Sequence, residues 1–140
     1  MIEKIIRKTI HHLGNILRAF YIFYLKLSGV KIGKNTMISL RAKIDVRRGK
    51  VIIGNNCTIT YGCIILSHDH AAALLHPSEK SEGKTIINDD VFIGVNSIIL
   101  PKVNIGQNSI IGAGSIVSHD IPPNVVAMGN PARIIREIKK

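Results

Sequence analysis

Aliphatic residues recur at every sixth position of this chain, and no other feature constrains its fold as strongly. They stand at Ile32, Ile38 and Ile44, resume after a three-residue slip at Ile53, Ile59 and Ile65, and run again through Ile87, Ile93, Ile99, Ile105, Ile111 and Val117. Chance does not hold one phase over three blocks, and a fixed internal period is the signature of a stacked, repetitive architecture. The neighbouring columns agree. One residue after the aliphatic position come Gly33, Gly54, Gly94, Gly106 and Gly112, and four residues after it come Thr36, Ala42, Cys57, Cys63, Ser97, Ser109 and Ser115. Each hexapeptide therefore predicts a short strand and a tight corner. The aliphatic side chain points inside, the glycine frees the corner backbone, and the small residue fits the narrow bend. Three hexapeptides close one triangular coil, so coils are expected near 32–49, 53–70, 87–104 and 105–122. The class is all-β: a parallel β-helix of about four coils.

Composition supports narrow stacked strands. The chain is 46% apolar yet has no Trp and only three Phe and three Tyr, so its core is built from β-branched residues. Its 140 residues suffice for one core and not for a second. The net charge of +10 is uneven: residues 1–50 hold 12 Lys or Arg against Glu3 and Asp45, and residues 51–140 balance seven against seven. The basic N-terminal third suits an anionic lipid surface, nucleic acid or an anionic substrate, or is a solvated face. Nucleic acid is the weakest of these, because no stacking platform or groove-reading motif accompanies the charge. Cys57 and Cys63 form no CxxC and no zinc pattern; both fall in the small inward column and read as reduced packing residues of a cytosolic protein. No uncharged apolar run reaches the roughly 18 residues of a spanning helix. No small-residue cleavage site follows a short apolar run, so a signal peptide is not expected.

Residues 1–29 read as a basic amphipathic helix, with Ile2, Ile6, Ile10, Leu13, Leu17, Phe20, Tyr24 and Leu27 along one stripe. Such a helix can cap the open end of the coils, pack in an oligomer, or lie on a membrane through residues 1–27. Residues 30–125 hold the coils, with an inserted loop at 71–86, since 22 residues separate Ile65 from Ile87 where the repeat demands six. Residues 126–140 hold a turn at Gly129, Asn130 and Pro131 and a basic tail, "ARIIREIKK", which reads as a short helix. Long loops in compact repeats usually carry function, and His68, His70 and His76 fall in or beside this one.

The stretch from Asp89 to Ile138 carries "IGAGSIV", "DIPPN" and "GNPARII" in that order. It resembles the C-terminal half of hexapeptide acetyltransferases, particularly the galactoside and maltose branch and the smaller O-acetyltransferases of surface-polysaccharide pathways, over about residues 30–138. The resemblance implies a left-handed β-helix, a cytoplasmic homotrimer and transfer of an acetyl group from acetyl-CoA to a sugar hydroxyl, with no metal. It implies that His68, in "ILSHDH" at the root of the loop, is the general base, with His70 as the fallback. An imidazole near neutral pH can accept the hydroxyl proton, and backbone N–H groups would steady the oxyanion. By the same resemblance Ala113 contacts the pantetheine arm of coenzyme A, Ser118 and His119 supply polar groups, and Arg133 and Arg136 meet its phosphates. Asp45 and His70 are expected on the acceptor side.

The chain departs from that family in three places. Phe92 stands where a Trp is frequent. The asparagine that assists the base has no clear counterpart, although Asp45 and Arg41 lie near its place. The substrate-binding N-terminal domain is replaced by the basic helix. Three other readings stay open: N-acetylation of an amino sugar, a zinc hydratase using His68, His70 and His76, and a non-catalytic β-helix scaffold.

Overall fold

The computed structural model describes residues 1–75 and 82–139. Helix α1 (Ile2–Leu27) leads into four coils of three strands each. The first coil is β1 (Lys31–Ile32), β2 (Met37–Ile38) and β3 (Lys43–Ile44); the second is β4 (Lys50–Ile53), β5 (Thr58–Ile59) and β6 (Ile64–Ile65). Helix α2 (His70–Leu75) follows, then the third coil, β7 (Lys84–Ile87), β8 (Phe92–Ile93) and β9 (Ile98–Ile99). The fourth is β10 (Asn104–Ile105), β11 (Ile110–Ile111) and β12 (Ile116–Val117), and the chain ends in β13 (Val125–Gly129) and β14 (Ala132–Glu137). Like strands of successive coils pair in parallel. They form three sheets, β1-β4-β7-β10, β2-β5-β8-β11-β13-β14 and β3-β6-β9-β12, which are the three faces of a prism.

The six-residue period is the register of this stack. Ile38, Ile59, Ile93 and Ile111 lie over one another, fully buried, in the central sheet, and Ile65, Ile99 and Val117 do the same in the third. The small column fills the corners. Ser97, Ser109 and Ser115 are fully buried, and their hydroxyls donate to the carbonyls of Gly112, Pro122 and Gly112 at 2.9, 2.9 and 2.6 Å; satisfied in this way, a buried hydroxyl costs little. Cys57 and Cys63 are free thiols in the same column, and burial pushes the Cys57 thiol up from its ordinary value.

The glycines act differently from the expectation. The left-handed corner residues are chiefly Asn35, Asn56, Asp90, Asn96, Asn108 and Asn124, with φ between 53° and 59°; short polar side chains tolerate that conformation. The glycine two residues earlier is needed for close stacking: a Cβ on Gly94 would lie 2.5 Å from the Ala113 nitrogen of the next coil.

Both ends correct the sequence reading. The tail expected to be a short helix is strand β14, antiparallel to β13. Gly129, at φ 108°, and the turn at Asn130 and Pro131 reverse the chain, so the tail satisfies the free edge of β13 instead of its own backbone. In α1 the expected stripe is not the packed face. Leu25 is the buried residue, with Tyr21 and Ile22 against the core and the Tyr21 hydroxyl donating to the Ala42 carbonyl at 2.7 Å. The narrow end of the prism offers support to the last two turns alone. Ile2, Ile6, Ile10, Leu17 and Phe20 remain exposed in the single chain. No helix among the described residues is long and apolar enough to cross a membrane.

Candidate active site

The corner between the third and first sheets carries both irregularities of the repeat. In the first coil it is the three-residue extension before β4; in the second it is the long insertion between β6 and β7. The two are knitted together. Lys50 N–H donates to the Gly83 carbonyl at 2.9 Å, Gly83 N–H donates to the Ser67 carbonyl at 3.0 Å, and His68 and Glu82 form an antiparallel bridge that closes the loop's stem. A Cβ on Gly49 would lie 2.0 Å from the Ser67 carbonyl oxygen, so glycine there lets the extension pass under the insertion. The expected loop at 71–86 opens on α2 and rejoins the coil at Lys84. His76 lies outside the described residues.

At this crossing His68 Nδ1 hydrogen-bonds Asp45 Oδ2. The same oxygen accepts the Ser67 hydroxyl at 2.9 Å and the Ser67 N–H at 3.2 Å, while Oδ1 accepts the Arg47 N–H at 3.2 Å. The Asp45 side chain is 4% exposed and that of His68 17%. Burial pushes the Asp45 carboxyl upward, but the hydrogen bonds from His68, Arg47 and Ser67 outweigh it and hold the group well below the usual carboxylate range. An ionised carboxylate accepts and cannot donate, so Nδ1 carries the proton of a neutral His68 ring and Nε2 keeps its lone pair. The arrangement can take a proton at Nε2 and stabilise the resulting imidazolium.

Of the residues named from sequence, the structure brings Asp45, His68 and His70 together. Asp45 sits beneath the imidazole, with both its oxygens engaged. His70 opens α2 and lines a pocket of about 270 Å³ with Arg47, Arg48 and His68. A second hollow, about 360 Å³, is lined by Lys43, Asp45, Val46, Arg47, Ile64 and Leu66. Arg41 is elsewhere, its guanidinium 5.6 Å over the Tyr61 ring and donating to the Tyr61 hydroxyl at 3.3 Å. Ser118 and His119 share the corner of His68 two coils further on, and their side chains hydrogen-bond at 2.9 Å. Ala113 is exposed at a different corner, between β11 and β12, and Arg133 and Arg136 are exposed on β14. Among the described residues no group of three or more His, Cys, Asp or Glu is placed to hold a metal.

Sequence reasoning missed Ser67, Arg47 and Arg48. The signal was present in the phase: Asp45 follows Ile44 as Leu66 follows Ile65, and Ile44 pairs with Ile65, so the slip and the insertion had to share a corner.

Residues 84–119 match the family model for Bacterial transferase hexapeptide (six repeats). Galactoside O-acetyltransferase of Escherichia coli (strain K12) is 40% identical over 116 residues, covering 79% of this chain and 55% of the relative. A solved galactoside acetyltransferase in complex with coenzyme A matches with a TM-score of 0.70 at 41% identity, over 80% of this chain and 56% of that one. A solved maltose O-acetyltransferase from Clostridium difficile 630 matches with a TM-score of 0.56 at 30% identity, over 79% of this chain and 70% of that one. The chain belongs to the hexapeptide-repeat acetyltransferase family. Its prism is the left-handed parallel β-helix of that family. It spans little more than half the length of the curated galactoside acetyltransferases it matches, 55% and 52%.

Proposed function

We propose that this protein transfers the acetyl group of acetyl-CoA to a hydroxyl of a sugar, in surface-polysaccharide or glycan-precursor synthesis, with His68 as general base. The observation that carries this reading is the Asp45–His68 pair at the root of the insertion. Asp45 holds the ring in the tautomer that leaves Nε2 free. Nε2 takes the hydroxyl proton as the oxygen attacks the thioester carbonyl, backbone N–H groups stabilise the tetrahedral oxyanion, and collapse expels the thiolate, which recovers the proton from the imidazolium. General-base catalysis of this kind contributes about 10²–10⁴-fold.

The coenzyme would lie in a cleft between two prisms, with Ala113 of one copy beside the pantetheine arm, Ser118 and His119 of the facing edge as polar contacts, and Arg133 and Arg136 toward the phosphates. Ala113 and His68 stand on different edges of one chain, so a neighbouring copy is needed to bring them together. A homotrimer, with its clefts between prisms, meets that need.

Calorimetric titration of acetyl-CoA into wild type and His68→Ala, followed by turnover on a panel of sugars and amino sugars, tests the reading. Binding retained in the variant with turnover lost is the expected result. If neither acetyl-CoA nor a longer acyl-CoA binds the wild type, the enzymatic reading fails and a scaffold takes its place.

A further inference from the structure

The three-residue extension before β4 does more than thread under the insertion. It places Arg47 and Arg48, both exposed, on the wall of the pocket shared by His68 and His70. Arg47 leans its Nε toward Asp45 Oδ1 at 3.5 Å, yet its side chain is 75% exposed, so most of its guanidinium fork faces solvent. Arg48 has no ion-pair partner among the described residues. Lys43 borders the adjoining hollow, and Lys50 and Lys84 sit side by side in register on the next face. Like charges placed directly opposite each other cost stability, which an anionic ligand would relieve. Of the carboxylates nearby, the Asp45 side chain is buried against His68, Ser67 and Arg47, and the Asp69 carboxylate accepts the Ala71 N–H.

From this we infer that the acceptor is an anionic sugar, its negative group held by Arg47 and Arg48 while a neighbouring hydroxyl meets His68. This inference rests on the acetyltransferase reading of the same site and names its substrate class. The recognised chemistry is a set of anionic oxygens, which a guanidinium fork matches in shape as well as charge. A sugar carboxylate or a sugar phosphate can supply them. The pocket, about 270 Å³, has room for one such ring substituent, and the hollow that shares Arg47 with it, about 360 Å³, for the rest of the sugar.

The test is calorimetric binding of methyl glucoside, glucuronic acid and glucose 1-phosphate to wild type, Arg48→Gln, Arg47→Gln and His68→Ala, with acetyl-CoA titrated in parallel. The expected pattern is anion-selective binding, weakened about tenfold by either arginine substitution, with the preference for the anionic over the neutral sugar retained in His68→Ala and acetyl-CoA affinity unchanged in the arginine variants. Whether glucuronic acid or glucose 1-phosphate binds the tighter identifies the anion. Three results would overturn the inference: equal affinity for the neutral glycoside, no binding of either anionic sugar, or a loss of acetyl-CoA affinity in the arginine variants, which would assign the arginines to the coenzyme's phosphates. Anion-selective binding with no transfer from any acyl-CoA would leave the site standing and remove the proposed reaction, so the two failures are distinct.

Discussion

Asp45 and His68 are 23 residues apart in sequence and hydrogen-bonded across adjacent coils at one corner of the prism. The pair exists because both irregularities of the repeat fall on that corner. The first supplies Asp45 at its start, and the second begins at Leu66, two residues before His68.

Substituting Asp45→Asn should lower kcat by about 10²–10⁴-fold, because the carboxylate that sets the tautomer of a general-base histidine is removed. The asparagine amide can present either its oxygen or its nitrogen to Nδ1, so the tautomer is no longer enforced. KM for acetyl-CoA should hold. Steady-state kinetics reads both, and a variant that loses affinity for acetyl-CoA instead would show that Asp45 shapes the coenzyme site.

Asp45 also predicts an acid limb in stability. Its carboxyl titrates below the ordinary range in the folded chain, so on acidification the unfolded state takes up the proton first. The stabilisation is therefore complete above the unfolded carboxylate pKa of about 4 and is lost as the pH falls through the folded value. Thermal melts of wild type and Asp45→Asn should differ by a constant amount between pH 7 and about pH 5, and the gap should begin to narrow below about pH 4. A gap that stays constant down to about pH 3 would contradict the assignment.

Gly49→Ala should destabilise the chain by about 1–3 kcal/mol and abolish turnover, because the added methyl meets the backbone carbonyls of Ser67 and Gly83 at 2.0 and 2.6 Å. Gly14→Ala is the matched control. Nothing lies within 4 Å of its added Cβ, and it sits inside α1, so it should stabilise by about 0.5–1 kcal/mol. Urea unfolding of the two variants gives the comparison.

Leu25→Ala should cost about 2–5 kcal/mol, as expected for truncating a buried leucine, since Leu25 is 1% exposed over the end of the first coil. Leu13→Ala, at a position 55% exposed, should leave the unfolding midpoint of a single chain nearly unchanged. A large effect of Leu13→Ala would mean that the exposed stripe of α1 is covered in solution.

The sequence by itself determined the coils. A period of six with an aliphatic, a glycine and a small residue at set offsets leaves one way to bury the aliphatics, and the strands fall where the phase places them. The position of His68 was legible too, because an insertion of that size must project from a corner and its root residues cannot leave it. Tertiary structure decided what lay between periods. Phase counting places Asp45 near the insertion but cannot say that its carboxylate turns inward under His68 while Arg41 goes to Tyr61; that follows from the path of the extension around Gly49. The tail's pattern admitted a helix, and the unpaired edge of β13 made it a strand. The stripe of α1 was read correctly as apolar, yet the face that packs is Tyr21, Ile22 and Leu25, since the direction in which Gly29 and Val30 enter the first coil sets which side of the helix meets the core. Local pattern specifies what each segment can bury; only the assembled prism specifies which surface is there to receive it.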